Sequence, residues 1–122
     1  MSYTNFAENA IEAALCNATA FSVGQLYLKL HIGDPGEDAT ANPAVETTRK
    51  AVTFGATGNP RLNTAIVTWT NVATTETYSY GSLWDAATGG NPWKVGPLAI
   101  AKAVNAGDSF DFAVGEIASS TD

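Results

Sequence analysis

One stretch constrains this chain more than any other: residues 77–97, TYSYGSLWDAATGGNPWKVGP. Aromatic, strand-forming residues run up to Trp84. Turn formers then crowd into the segment that ends Gly89-Gly90-Asn91-Pro92, and a second aromatic strand begins at Trp93. Glycine reaches positive φ without a Cβ clash, while Pro92 pre-sets one φ and donates nothing to a ladder. The pattern predicts a β-hairpin with a loop longer than two residues. Trp84 and Trp93 fall near its neck. A tryptophan buries on the order of 200 Å², so both are expected to anchor the core or an interface.

The rest of the chain reads as more short strands behind one helix. Residues 4–17, TNFAENAIEAALCN, carry apolar side chains near the helical period, with Thr4 or Asn5 as cap and Glu8 placed as in a capping box. Residues 25–32 alternate strictly, with Leu26, Leu28, Leu30 and Ile32 on one face and Tyr27, Lys29 and His31 on the other. That is the period of a half-buried strand, and it predicts His31 on the solvent or interface side. Residues 51–54 and 61–70 read as strands, the second with Ala65, Val67 and Trp69 sharing a face. Residues 98–103 and 109–114 follow, the latter with Phe110, Phe112 and Val114 inward, and residues 116–118 read as a last short strand. Turn signals every ~8–12 residues among short strands suit a β-sandwich or jelly-roll-like fold. The expectation is a single domain over 1–122, mainly β, with an N-terminal helix at 4–17 and a β-sandwich at 25–118.

Between the strands lies a long loop, residues 33–48, GDPGEDATANPAVETT. Structureless connections beyond ~12–15 residues are usually functional or mobile, so this one reads as an arm able to lie on a neighbouring subunit. Asp34, Glu37 and Asp38 offer oxygens to a hard cation, but their spacing does not match a calcium loop, and they are read as an exposed acidic loop.

Composition excludes several partners. Net charge is −6 with six Lys and Arg in total, which leaves no cationic footprint for nucleic acid. No apolar run approaches the ~20 residues of a membrane span, and the N-terminus lacks the basic and apolar regions of a signal peptide. The charged fraction is 15%, low against a typical ~25%. That fits either a surface partly covered by neighbours or a β protein with neutral polar strands. The single cysteine, Cys16, lies in an apolar run and reads as a small buried hydrophobe.

Catalytic chemistry has little to build on. His31 is the only imidazole, without a second His or Cys at metal-ligand spacing. No nucleophile elbow or phosphate-binding glycine loop occurs. The carboxylates Asp85, Asp108, Asp111 and Glu116 fall at turns or outward positions. The reading is a non-enzyme with no cofactor and no metal.

Five stretches in series carry a resemblance. They are LHIGDPG at 30–36, RKAVTFG at 49–55, LWDAATGG at 83–90, GPL at 96–98 and VNAGDSFDF at 104–112. Over most of its length the chain resembles small tailed-bacteriophage virion proteins, a family labelled tail-fibre or minor tail proteins. The family often has Gly where this chain has Ser82, with Gly81 one place earlier, so a local shift or bulge is expected there. The resemblance implies a virion structural protein without catalysis. The single cysteine and the missing signal peptide suit a chain made in the host cytoplasm, and the acidic exterior suits the outer surface of the virion, outside the DNA compartment.

Two placements follow. The first is a capsid decoration (cement) protein on the head, touching the major capsid protein and copies of itself, with a trimer favoured. The absence of a stalk-like or coiled-coil segment supports this choice. The alternative is a tail-fibre or minor tail module that contacts a host surface glycan, with Tyr27, Tyr78 and Tyr80 able to stack on sugar rings. The competing reading of those tyrosines is strand surface or subunit contact. The candidate interface is therefore Tyr27, Lys29 and His31 on the strand face, Asp34, Pro35, Glu37 and Asp38 in the loop, and Tyr78, Tyr80, Trp84 and Trp93 at the hairpin.

Overall fold

The computed structural model describes residues 1–121. Ser2–Tyr3 forms β1 and Asn5–Asn17 forms α1. Thr4 starts the helix. Its Oγ1 accepts the Ala7 N–H at 3.1 Å, and its hydroxyl donates to the Pro92 carbonyl at 2.7 Å. One buried threonine thus satisfies an orphan helix donor and ties the helix to the hairpin. The chain leaves α1 through Ala18, in the left-handed region at φ 54°. Only Ala7 of the helix is buried. Cys16 is exposed, its thiol 3.4 Å from a Glu12 carboxylate oxygen. The expectation of a buried cysteine fails because the apolar run around it belongs to a helix that rests on the sheet mainly through its first turn.

Leu26–His31 forms β2, Lys50–Val52 β3, Arg61–Leu62 β4 and Val67–Trp69 β5. Glu76–Trp84 forms β6, Pro92–Val104 β7, Phe110–Phe112 β8 and Ala118–Ser119 β9. Five strands make an antiparallel sheet in the order β1-β7-β6-β2-β3, and β4-β9 and β5-β8 form two small ribbons. The fold is mainly β with one helix, as the strand spacing predicted. Leu28, Leu30, Val52 and Leu83 of the large sheet share one buried cluster with Val67, Trp69 and Phe112 of the β5-β8 ribbon. The ribbon therefore packs as a second layer over one face of the sheet. Trp69 and Phe110 stack at 5.4 Å, and Tyr78 meets Phe110 at 5.2 Å.

The hairpin β6-β7 lies at the centre, with residues 85–91 as its loop. β7 runs on as one strand through residues 98–103, which the sequence suggested as a separate element. The register breaks twice, between Tyr78 and Tyr80 and between Leu83 and Trp84. The second break falls one residue beyond Ser82, near where a shift was expected. The first gives Tyr78 and Tyr80 different surroundings despite their spacing of two.

Three strand readings are corrected. Residues 61–70 are two strands, separated where Asn63 turns inward to bond the chain around it. Val114 is exposed, because β8 ends at Phe112. Ile32 lies past the end of β2 and is exposed as well, while His31 is fully buried.

Candidate interface on the sheet face

The face of the large sheet opposite the core carries Tyr27, Lys29 and His31 of β2 beside Trp84, Ser82 and Tyr80 of β6. The register pairs Tyr27 with Trp84, Lys29 with Ser82 and His31 with Tyr80. Alternation places Tyr27, Lys29 and His31 on one face, as the sequence predicted, and the β2–β6 register brings the three β6 residues beside them. Their burial differs from the expectation. His31 has no exposed surface because the 33–48 loop folds back over it, and the Ala41 carbonyl lies 3.0 Å from Nδ1. A carbonyl only accepts, so Nδ1 carries the proton. Nε2 then accepts from the Ser82 hydroxyl at 2.8 Å, and Ser82 Oγ in turn accepts the Trp84 indole N–H at 2.8 Å. The chain of bonds satisfies every polar atom in it only when the imidazole is neutral. Burial pushes the His31 pKa below its ordinary value, backbone hydrogen bonding from the loop opposes the shift, and nearby Lys29 adds to it.

Beside this buried chain lies a half-buried cationic and aromatic patch. The Arg49 guanidinium stacks over the Trp84 ring at 4.0 Å, and Lys29 Nζ lies 5.8 Å from the same ring centre. One Arg49 nitrogen, Nη1, donates to the carbonyls of Ala86 and Gly89 at 2.9 and 2.7 Å. The hairpin loop thereby fixes the guanidinium on the indole. Arg49 was not singled out from sequence, because its partners lie 37 and 40 residues further on.

Asp85 organises that loop. It accepts the Asn91 N–H at 2.8 Å and the Trp93 indole N–H at 3.1 Å. Burial alone would raise its carboxyl, but these bonds outweigh burial and hold it below the usual range. Gly90 sits at φ +70°, where a side chain would strike Asp85 and Ala86. Trp93 is buried between Phe6, edge-on at 5.2 Å, and Phe21, stacked at 5.0 Å. It is an anchor between helix and hairpin.

The 33–48 loop is bound to its own domain. Ala44 N–H donates to Leu30, Ile32 N–H to Asn42, and the N–H groups of Val45 and Glu46 to the Glu76 carboxylate. Pro35 and Ala39 are buried. The expectation of a reaching arm therefore gives way to a docked loop. Asp34 accepts the Gly36 N–H at 2.9 Å and Asp38 accepts from the Asn5 amide at 3.1 Å. Among the described residues no group of three or more His, Cys, Asp or Glu could hold a metal ion. Asp34, Glu37 and Tyr80 instead line an open cleft with Ser2 and Pro97.

The predicted interface residues thus divide. Tyr27, Lys29, Tyr80 and Trp84 remain half-buried and reachable, and Asp34, Glu37 and Asp38 are exposed. His31, Pro35, Tyr78 and Trp93 are buried and offer a partner little or nothing. Tyr78 was read as a sugar-stacking ring, but the register break beside it turns it into the core.

A family model described as podophage GP4 fiber I protein gp80 matches residues 2–120. The chain belongs to this family. No curated protein sequence matches it. The match spans the helix, the hairpin and all three sheets, so nearly the whole described chain falls within a phage structural-protein family. The family's fibre description favours the fibre placement over head decoration, which was the first expectation from the sequence.

Proposed function

We propose that this protein is a non-enzymatic component of a phage tail fibre, carried on the outside of the virion and in contact with the host surface. The observation that carries the reading is the fiber I family match over nearly the entire chain. The fold agrees with it. The 33–48 loop, which the decoration reading offered as a reaching arm, is fastened to β2 and β6 of its own domain. The reachable surface with distinctive chemistry is the sheet face around Trp84, which suits a binding module. Self-association into a trimer or other closed cluster belongs to this reading. The test is labelling of intact particles with gold-conjugated antibody raised against the isolated protein. Label concentrated at the tail is expected. Label distributed over the head surface would return the protein to the decoration class.

A further inference from the structure

A chain with twelve acidic and six basic residues would be expected to pair its cations. Among the described residues five of the six make no ion pair, and of these Lys29 and Arg49 stand apart in sharing one indole ring. Among the described residues the one ion pair is Lys102–Glu116, at 2.8 Å, and Lys29 Nζ makes no hydrogen bond. It is half-buried on the sheet face, with Arg49, stacked on the same Trp84 ring, as a charged neighbour. Arg49 uses Nη1 on two loop carbonyls and leaves the rest of its fork without a protein acceptor. Asp85, whose charge acts on Arg49, is occupied by Asn91 and Trp93 and forms no ion pair with it. Burial, and secondarily Arg49, hold Lys29 below its ordinary pKa, while burial lowers Arg49 against a smaller opposing pull from Asp85.

Two like charges held together on one partly dry surface repel each other, and an anion between them would relieve that repulsion. Arg presents a planar fork that matches carboxylate and phosphate oxygens, and Lys a compact point charge. Beside them Tyr27, paired in register with Trp84, offers a half-buried aromatic ring. Rings of this kind give the apolar face of a sugar a surface to rest on.

We infer that Lys29, Arg49, Tyr27 and Trp84 form a binding site for the anionic group of a host saccharide. The inference rests on the fibre reading for the source of the saccharide, and on the paired cations for its charge. Neutral sugars lack the group that both cations seek. The rest of the acidic surface, including Asp34 and Glu37 at the neighbouring cleft, repels anions and confines them to this patch. Carboxylate-bearing and phosphorylated sugars share the required chemistry.

The experiment is calorimetric titration of the purified protein with an oligogalacturonate, with mannose 6-phosphate, and with a neutral oligosaccharide of matched length. Repetition with Lys29→Gln and Lys29→Arg tests the residue. At least one anionic probe is expected to bind tenfold or more tighter than the neutral one, since hydrogen bonds to charged groups contribute roughly 1.5–3 kcal/mol and 1.4 kcal/mol is tenfold. The preference should weaken with salt, vanish in Lys29→Gln and return in Lys29→Arg. Which anionic probe prevails distinguishes carboxylate from phosphate. Equal affinity for all three probes, or a preference that survives in Lys29→Gln, would overturn the inference. Tail labelling without anion binding defeats the site alone, whereas head labelling with anion binding defeats the fibre reading alone.

Discussion

Ser82 Oγ sits between two rings, donating to buried His31 and accepting from half-buried Trp84. Replacing it with alanine removes both bonds at once and leaves His31 Nε2 without a partner in a site closed to water. A buried unsatisfied polar group costs ~1–3 kcal/mol, so Ser82→Ala should lose about 2 kcal/mol in urea unfolding at neutral pH. An unchanged midpoint would mean that the chain of bonds does not contribute. The same site gives the protein a pH dependence. The folded pKa of His31 lies below the ordinary histidine value of 6.5, so below that value the unfolded chain binds the extra proton. Stability is then complete above pH ~6.5 and falls as the pH drops from there toward the folded pKa. Asp85 and Glu116 are also held below their ordinary values, 3.8 and 4.5, so their effects belong to more acidic solution. Thermal unfolding between pH 7.5 and 5 should show a declining Tm in the wild type. The decline should be absent in His31→Gln.

At the scale of elements, Asn63 holds the smaller layer together. Its side-chain amide donates to the Ala65 and Ala113 carbonyls at 2.9 and 3.0 Å, and its oxygen accepts the Ile117 N–H at 2.9 Å. Its own N–H reaches the Ile117 carbonyl, and Gly115 N–H reaches its carbonyl. One buried side chain thus joins β4 to the segment between β8 and β9. Asn63→Ala should cost ~3 kcal/mol, since three partners lose a bond, one in a buried place and two in partly buried ones. Denaturant melts should show this as a lowered midpoint; retention of wild-type stability would show that water replaces the amide.

The elements legible in the sequence are those written by local pattern. The hairpin was visible because turn formers and aromatics sit in consecutive order. β2 was visible because its leucines alternate, and Leu28 and Leu30 do lie in the core. α1 was visible because its cap and period are contiguous. What stayed hidden depends on residues far apart in the chain. His31 looked exposed because the loop that buries it touches it 10 residues later and its other partner stands 51 residues away. Asn63 looked like an ordinary strand residue until Ala113 and Ile117, 50 and 54 residues on, came to meet it. Arg49 and Trp84 became a pair only when the hairpin loop closed on the guanidinium. Alternation places a residue on a face of a strand; it does not say whether a distant loop covers that face.

For the whole molecule, charge and architecture point the same way. The core joins a five-stranded sheet to a small ribbon layer, and the helix contributes a single buried residue. The opposite sheet face presents a cationic and aromatic patch on an otherwise acidic chain. A protein that coats a head lattice appears at hundreds of copies and needs arms that reach its neighbours. A fibre component appears at few copies and needs a face that meets something outside the particle. Copy number separates the two most directly. Quantitative mass spectrometry of purified virions, scaled to the major capsid protein, should give a few dozen copies per particle or fewer. Hundreds of copies would contradict the account and place the protein on the head.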